Sequence, residues 1–440
     1  MVRLGYLRAW RPLCRDDHDI YRLDPLAAAV VPRPSDEARR RGSVRMTTVT
    51  RGSLLLAYLA FISLGLPDSL LGVGWPSVSA DLGVPLDAVG LLLIAGTVGY
   101  VISSVLAGFT LARLGVGRLL AGSTALVALS VAGYAGAPVL AVLVGLALLV
   151  GLGSGAIDSG LNAYAAAAFG PRHMNWMHAF FGIGMALGPL VMTTVLAADL
   201  SWRWGYGIVA AAQALLAVTF ALTARGWAAH RPLVVDDLPT PPQVPIRQTL
   251  AIPAVWYGAL AFALYVAVEI SVGLWAYVFL TQSRGLDSTL AGVCVSAYWI
   301  SLFVGRVVQG IIAERIGSHR VLQVSLAAIV AGAVLVAIPA QAWAAVTGLL
   351  VIGFAAAPVF PLLSLTTAER VGTPHADRTV GVQMGAAGLG GAVLPGAVGV
   401  LLQRVGTQAL GPALITLSVA LLVVYVVTMA RAREQGSTVF

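Results

Sequence analysis

The chain has 440 residues, of which 58% are hydrophobic and only 10% carry a charge, and its mean hydropathy is +0.88. A soluble domain carries roughly 25% charged residues. The composition excludes soluble enzymes, disulfide scaffolds and nucleic-acid-binding proteins, and it indicates a protein that crosses the membrane many times. All 27 basic residues are arginines, which set a net charge of +8. Cys14 and Cys294 are too few and too poorly placed for a disulfide framework.

The first 50 residues differ from the rest of the chain. Ten arginines precede Met46, and this region has no long apolar run. This composition predicts a disordered cytoplasmic tail over 1–50. Met46, just before the first apolar segment, is an alternative start.

Twelve apolar segments are long enough to cross the membrane, which takes about 20 residues. They lie at about 53–79, 87–112, 118–136, 139–168, 174–198, 203–224, 252–281, 288–313, 319–338, 341–368, 378–403 and 407–430. The pattern predicts an all-α membrane protein with six-helix halves at 51–224 and 251–430. A polar, proline-rich linker at 225–250 separates the halves, and 431–440 forms a C-terminal tail.

The arginines in the loops are divided unequally between the two sides of the predicted membrane. One set of loops, with the C-terminus, carries Arg113, Arg118, Arg172, Arg225, Arg231, Arg247, Arg315, Arg320, Arg370, Arg378, Arg431 and Arg433. The opposite set carries only Arg203, Arg284 and Arg404. Because arginine-rich loops stay inside, we expect both termini and the linker to be cytoplasmic, in a bacterial inner membrane.

The two halves repeat each other. The second segment ends in Gly108, Arg113, Gly115 and Arg118, and the eighth ends in Gly310, Arg315, Gly317 and Arg320, at identical spacing 202 residues later. The fifth and eleventh segments share a second pattern, Gly182-x-Gly184-x4-Pro189 and Gly388-x-Gly390-x4-Pro395. Asp68 and Glu269 are 201 residues apart. Parallel repeats of this kind occur in transporters whose substrate site lies between the halves.

The loop motif resembles the signature of the major facilitator superfamily. Its glycines are expected to permit close helix approach, and its arginines to anchor helix ends. The first copy has Ala112 where the family has an acidic residue, while Glu314 keeps that residue in the second copy. We therefore predict structural or gating roles for these positions and for a nearby arginine: Gly108, Arg113, Gly115, Arg118, Arg306, Glu314, Arg315 and Arg320.

Four ionisable residues lie inside predicted spans: Asp68, Asp158, Glu269 and Arg306. A charge at the bilayer centre costs about 2.5–3.5 kcal/mol on insertion scales, so each needs a partner, water or a neutral state. Structural ion pairing is the alternative to function, and it is favoured for Arg306. For Asp68 and Glu269 the repeat favours function. Asp158 and Asn162, four residues apart on one helix face, are predicted to face a cavity.

Several stretches resemble the fucose permease-like branch of that superfamily, the fucose–galactose–glucose:proton symporters. They are Ile157 to Asn162, Met174 to Gly182, Leu264 to Trp275, Gly305-Arg306, Ala357 to Pro361 and Gly390 to Pro395. The resemblance covers about 52–430 and implies proton-coupled sugar symport by rocking of the halves. It also implies acidic residues in the first and fourth helices, which Asp68 and Asp158 match. The predicted proton-coupling residues are Asp68, Asp158 and Glu269.

Polar and aromatic residues of the same segments are candidates for holding a substrate. They are Asn162, Asn175, His178, Tyr265, Trp275, Tyr298, Trp299 and Gln383. For each aromatic the alternative is packing or interfacial anchoring. His178 is as consistent with a structural role as with substrate binding.

Other activities lack their sequence patterns. The Gly182-x-Gly184-x3-Gly188 run lies inside an apolar helix with no preceding strand, so it does not indicate nucleotide binding. No phosphate loop, metal-binding cluster or other cofactor motif is present, and no enzymatic activity is expected. The expected partners are a small solute, protons and the lipid bilayer, with no nucleic acid, and a functional monomer.

Two other functions remain open. The first is proton-antiport efflux of drugs or amphipathic metabolites, because Gly184 to Pro189 partly resembles an exporter pattern. The second, a membrane sensor or scaffold, is disfavoured by the short loops.

Overall fold

The computed structural model describes residues 51–169, 171–229, 244–339 and 341–437. The chain divides into units 1–48 and 49–440, and the predicted tail at 1–50 lies outside the described residues. The described part is helical throughout and contains no strand. Twelve of its helices are long and apolar enough to cross a membrane.

We number these spanning helices α1 to α12. Their bounds are Arg51–Leu82, Val89–Leu114, Val116–Gly136, Leu140–Ala168, Pro171–Ala197, Trp202–Thr223, Pro253–Val278, Ser288–Ile316, Ser318–Ala337, Ala342–Ala356, Thr373–Val405 and Leu410–Ser437. After a break at Ala357 and Pro358, α10 continues as Val359–Leu365. The predicted spans match these helices closely. The differences are that α11 begins at Thr373 rather than 378 and that α12 extends into the predicted C-terminal tail.

Glycines with positive φ end several helices at equivalent places in the two halves. Gly115, at φ 73°, joins α2 to α3, and Gly317, at φ 90°, joins α8 to α9. Only glycine adopts this region without a steric cost. The expectation that the motif glycines permit close helix approach is wrong for Gly108 and Gly115, because a Cβ atom on either would meet nothing within 4 Å. Gly115 instead allows the tight turn.

Each half contains three pairs of packed helices. In the N-terminal half α2 packs against α4, α1 against α5 and α3 against α6. The equivalent pairs in the C-terminal half are, in the same order, α8 with α10, α7 with α11 and α9 with α12. The second repeated pattern explains one of these pairs. A Cβ atom on Gly184 would overlap the backbone of Ile62 in α1, and one on Gly390 would overlap the backbone of Ala263 in α7. The sequence repeat is therefore a repeat of packing.

The halves meet near the end of the bundle where α1 and α7 finish, which we call the closed end. A Cβ atom on Gly72 of α1 would overlap the carbonyl oxygen of Gly273 in α7, its own counterpart in the repeat. A Cβ atom on Gly90 would lie 3.3 Å from the Cα atom of Gly396, so α2 and α11 are also closely packed. Small residues at these positions allow close backbone contact between the halves.

Two arginines near the closed end cap corresponding helices. The guanidinium of Arg203 donates to the carbonyl oxygen of Ala137, the C-cap of α3, and also pairs with Asp81. In the other half, Arg284 donates to the carbonyl oxygen of Ile338, the C-cap of α9, at 2.7 Å, and to that of Val336 at 2.8 Å. A cation at a helix C-terminus stabilises the exposed carbonyl groups.

Candidate functional site

The N-terminal half carries a hydrogen-bonded carboxylate partway along α4, and we call this group the N-wall cluster. The Tyr100 hydroxyl in α2 donates to Oδ2 of Asp158 at 2.6 Å. The Asn162 side-chain amide donates to Oδ1 of the same carboxylate at 3.0 Å. Asp158 and Asn162 therefore face the same side of α4, as the sequence predicted. Asp158 is only half-buried, and Tyr100 is 38% exposed.

Asp68 lies midway along α1, with 16 residues of its span before it and 14 after. Its side chain is exposed although its neighbours Pro67 and Ser69 are buried. Because α1 packs against α5, α6 and α7, this exposure opens into the interior of the bundle. Within the described part of the chain, Asp68 makes no hydrogen bond or ion pair. Its charge acts on the hydroxyl group of Tyr100, so it borders the N-wall cluster.

The C-terminal half presents a second charged group, which we call the C-wall cluster. Glu269 lies midway along α7, with Arg306 in α8, and both side chains are half-buried. Both charges act on the hydroxyl groups of Tyr265 and Tyr298. The Tyr298 hydroxyl donates to the backbone carbonyl of Glu269 at 3.0 Å. A carboxylate and a guanidinium thus act on the same two tyrosine hydroxyl groups of this wall.

His178 lies between the two clusters. Its exposed ring packs edge-on against Phe61 of α1, with ring centroids 5.1 Å apart. It is within electrostatic reach of Asp158 on one side and Arg306 on the other. Asp68, Asp158, His178, Arg306 and Glu269 are therefore linked by electrostatic interactions that cross from one half to the other, and we call the region between them the cleft.

Other predicted substrate residues are buried in the packing. Trp275 is fully buried, and its indole donates to the carbonyl oxygen of Pro395 at 2.9 Å. Gln383 is 1% exposed and accepts a hydrogen bond from Thr367 at 3.0 Å. Tyr265, Tyr298 and Trp299 are also buried. In this conformation these five side chains belong to the buried packing of the C-terminal half.

The motif residues lie away from the cleft. The Arg113 guanidinium stacks over the Phe109 ring, 4.0 Å from its centroid. The other described arginines of the motif, Arg118, Arg315 and Arg320, are exposed at helix ends. The side chains of Asn175 and Glu314 lie outside the described set.

The sequence analysis missed Tyr100 and Ser104, whose hydroxyl lies beside that of Tyr100. A signal was present, because Ser104 is 202 residues before Arg306, the offset of the repeat. Among the described residues, no group of three or more histidine, cysteine or acidic side chains is placed to hold a metal ion.

Twelve spanning helices in two repeated halves, with ionisable groups bordering the cleft between them, define a membrane transporter. The family model of the Major Facilitator Superfamily matches residues 57–395. The chain belongs to this superfamily, and it is a transporter rather than an enzyme.

Individual proteins resemble the chain more distantly. An uncharacterised MFS-type transporter of Yersinia pestis is 27% identical over 314 residues, which cover 69% of this chain and 77% of that protein. The crystal structure of a point mutant of the nucleoside transporter NupG has a TM-score of 0.69 at 17% identity, covering 85% of this chain and 99% of that chain. The crystal structure of a point mutant of the peptide transporter POT, in complex with alafosfalin, has a TM-score of 0.69 at 15% identity, covering 87% of this chain and 94% of that chain. At these identities the two structures show a shared fold.

Proposed function

We propose that the chain moves a small polar solute, a sugar or a similar molecule, by alternating access coupled to protons. The observation that carries this proposal is the set of three carboxylates, Asp68, Asp158 and Glu269, bordering a cleft between the halves. A carboxylate inside a membrane protein is costly unless it is used or paired. One that alternates between wet and dry surroundings can take up a proton on one side and release it on the other.

The contacts between the halves support alternating access. The close approaches of Gly72 to Gly273 and of Gly90 to Gly396 lie near the closed end, while Asp68 and His178 remain exposed. The arginine bias favours a cytoplasmic location, in a bacterial cell, for the opposite end, where α1 begins and α12 ends. With that orientation, this conformation is the inward-facing one, and the chain works as a monomer.

The choice of solute follows from the polar groups on the walls. Hydroxyl, amide and carboxylate groups at Tyr100, Asn162 and Asp158 suit a solute with several hydroxyl groups. The resemblance to the fucose permease-like branch supports a sugar. The named solutes of the structural relatives, a nucleoside and a peptide, set the range of probes worth testing.

Uptake into liposomes tests the proposal. Purified protein is reconstituted with an acidic exterior and an alkaline interior, and radiolabelled hexoses, nucleosides and dipeptides are offered. We expect one of these classes to accumulate. Asp68→Asn and Asp158→Asn should abolish the accumulation, and Asp199→Asn, in an exposed loop where asparagine tolerates the positive φ, should retain it. Accumulation that persists in both cleft variants would refute the coupling.

Efflux of amphipathic compounds is the second candidate function, and the glycines of α5 are the observation that favours it. Gly184 and Gly188, which belong to the stretch that partly resembles an exporter pattern, pack α5 directly onto α1. Under this alternative, cells that express the chain tolerate a panel of toxic amphipathic compounds better than control cells. Unchanged susceptibility together with sugar accumulation would favour uptake.

A further inference from the structure

The bond between Tyr100 and Asp158 joins a hydroxyl of α2 to a carboxylate of α4. Its length of 2.6 Å lies in the range of charge-assisted O–H···O⁻ bonds. Asn162 donates to the other oxygen of the same carboxylate. One acceptor position on each oxygen of Asp158 is therefore already occupied by the protein.

The packing of α2 against α4 does not depend on this bond. A Cβ atom on Gly99 would overlap the carbonyl oxygen of Leu148, and one on Gly151 would overlap that of Gly96. These backbone contacts hold the helices together next to Tyr100. The Tyr100 side chain, in contrast, remains 38% exposed.

We propose that Tyr100 is a positioning residue, which orients the Asp158 carboxylate so that its free acceptor positions receive a hydrogen-bond donor of the transported solute. The inference rests on the proposed function and deepens it by naming the recognised group. That group is a hydroxyl or an ammonium. A carboxylate or phosphate is excluded, because Asp158 and the nearby Asp68 would repel it.

The physical reason lies in the side chain of aspartate. Its terminal torsion is broad, so a carboxylate with a single partner can rotate. Two donors on different oxygens restrict this rotation. An ionised carboxylate has about four acceptor positions, so two remain for the solute.

The first experiment needs no solute. Dicyclohexylcarbodiimide, an apolar reagent, modifies carboxyl groups that are protonated and accessible, and mass spectrometry of the labelled peptides locates the product. We expect Asp158 to resist labelling in the wild-type protein and to be labelled roughly tenfold more in Tyr100→Phe, because the hydroxyl that occupies Oδ2 of the carboxylate is then absent and this oxygen is open to the reagent. Tyr277→Phe is the matched control, because the charge that acts on its hydroxyl is that of Asp287, outside the cleft. Equal labelling of Asp158 in all three proteins would overturn the proposal.

The second experiment measures solute exchange in liposomes without a pH gradient. The probes are glucose, glucosamine and glucuronate, which present a hydroxyl, an ammonium and a carboxylate on one ring skeleton. We expect exchange of glucose or glucosamine, and a lower KM for glucosamine than for glucose would identify the ammonium as the donor. Tyr100→Phe should raise KM roughly tenfold with kcat within about twofold of wild type, and Tyr277→Phe should change neither constant. Exchange of glucuronate in preference to both other sugars, or a loss of kcat at unchanged KM in Tyr100→Phe, would overturn the proposal.

The two experiments separate the proposal from the proposed function. If no sugar is exchanged but the labelling of Asp158 rises in Tyr100→Phe, the sugar assignment fails and the positioning role stands. If Tyr100→Phe does not fold, Asn162→Leu removes the other donor at similar volume. The same rise in Asp158 labelling is then expected, and its absence contradicts the proposal.

Discussion

The two walls of the cleft are built on one scaffold and differ in chemistry. The N-wall cluster has a carboxylate held by neutral donors, whereas the C-wall cluster has a carboxylate and a guanidinium together. With the repeat offset of 202 residues, Asp158 corresponds to Phe360, whose ring packs edge-on against Phe262. The duplicated glycines therefore preserve helix packing, while the chemistry has diverged between the halves.

This asymmetry separates scaffold from function. A residue shared by both halves, such as Gly115 with its counterpart Gly317, serves the backbone. A polar residue present in one half only, such as Tyr100 opposite Leu302, has no packing reason to be there. Substitutions at matched positions can therefore test which half supplies which property.

The largest effect is expected where the halves touch. Gly72→Trp places a large ring against the backbone of Gly273, so α1 and α7 can no longer come into contact at the closed end. We expect uptake to fall by roughly tenfold or more, because a shift of about 1.4 kcal/mol in a conformational equilibrium is tenfold. Gly108→Trp, where a side chain meets open space, is the control and should retain uptake. Normal uptake in Gly72→Trp would mean that this contact does not form part of the transport cycle.

The next test concerns charge compensation within the C-wall cluster. Glu269→Gln and Arg306→Gln each leave an unbalanced charge, and each should reduce uptake. The double variant should lose less than the sum of the two, with a coupling of about 0.5–3 kcal/mol, the range for residues in one network. Arg404→Gln, on an exposed side chain, is the control. Strict additivity in the uptake rates would show that Glu269 and Arg306 act independently.

The helix-capping arginines test whether the two halves are stabilised in the same way. Arg203→Ala and Arg284→Ala each remove hydrogen bonds to carbonyl groups at a helix C-terminus, so each should lower stability by about 1–3 kcal/mol. The measurement is the thermal unfolding midpoint in detergent. The third arginine of that side, Arg404, is exposed, and Arg404→Ala should leave the midpoint unchanged. Equal midpoints for all three variants would contradict the capping role.

The smallest effect is expected at the turn glycines. Gly115→Ala and Gly317→Ala force an L-residue into the left-handed region, at a cost of about 1–2 kcal/mol each. Gly108→Ala, inside α2 and without a steric neighbour, should be neutral or stabilising by up to about 1 kcal/mol. The unfolding midpoints of the three variants in one detergent check this order. If the Gly108→Ala protein were less stable than the Gly115→Ala protein, Gly108 rather than Gly115 would be the glycine that the backbone requires.

Hydropathy and the internal repeat predicted the spanning helices closely, because a membrane span needs a long apolar run and leaves few alternatives. The pairing of Asp158 with Asn162 was also predictable, since residues four apart share a helix face. The role of Gly115 was not, because its positive φ depends on how the chain turns between two helices. A sequence pattern does not distinguish that need from close packing.

The aromatic candidates show a second limit. Trp275 and Tyr298 occupy the helices that border the cleft, and their residue types suit substrate contact. Whether a side chain on such a helix faces inward depends on the rotation of the helix within the bundle, and α7 is buried on most of its surface. Tyr100 was missed for the converse reason, since its partner Asp158 is 58 residues away and on another helix.

The contact between Gly72 and Gly273 brings a residue against its own equivalent. Equivalent residues touch only on the axis of a two-fold arrangement, so this point is where two identical six-helix chains would meet as a symmetric dimer. Joining them into a single polypeptide keeps that meeting point and lets each side of the axis accept different mutations. An ancestral homodimer, in which every wall residue appears twice, could not have placed an aspartate on one side and a phenylalanine on the other.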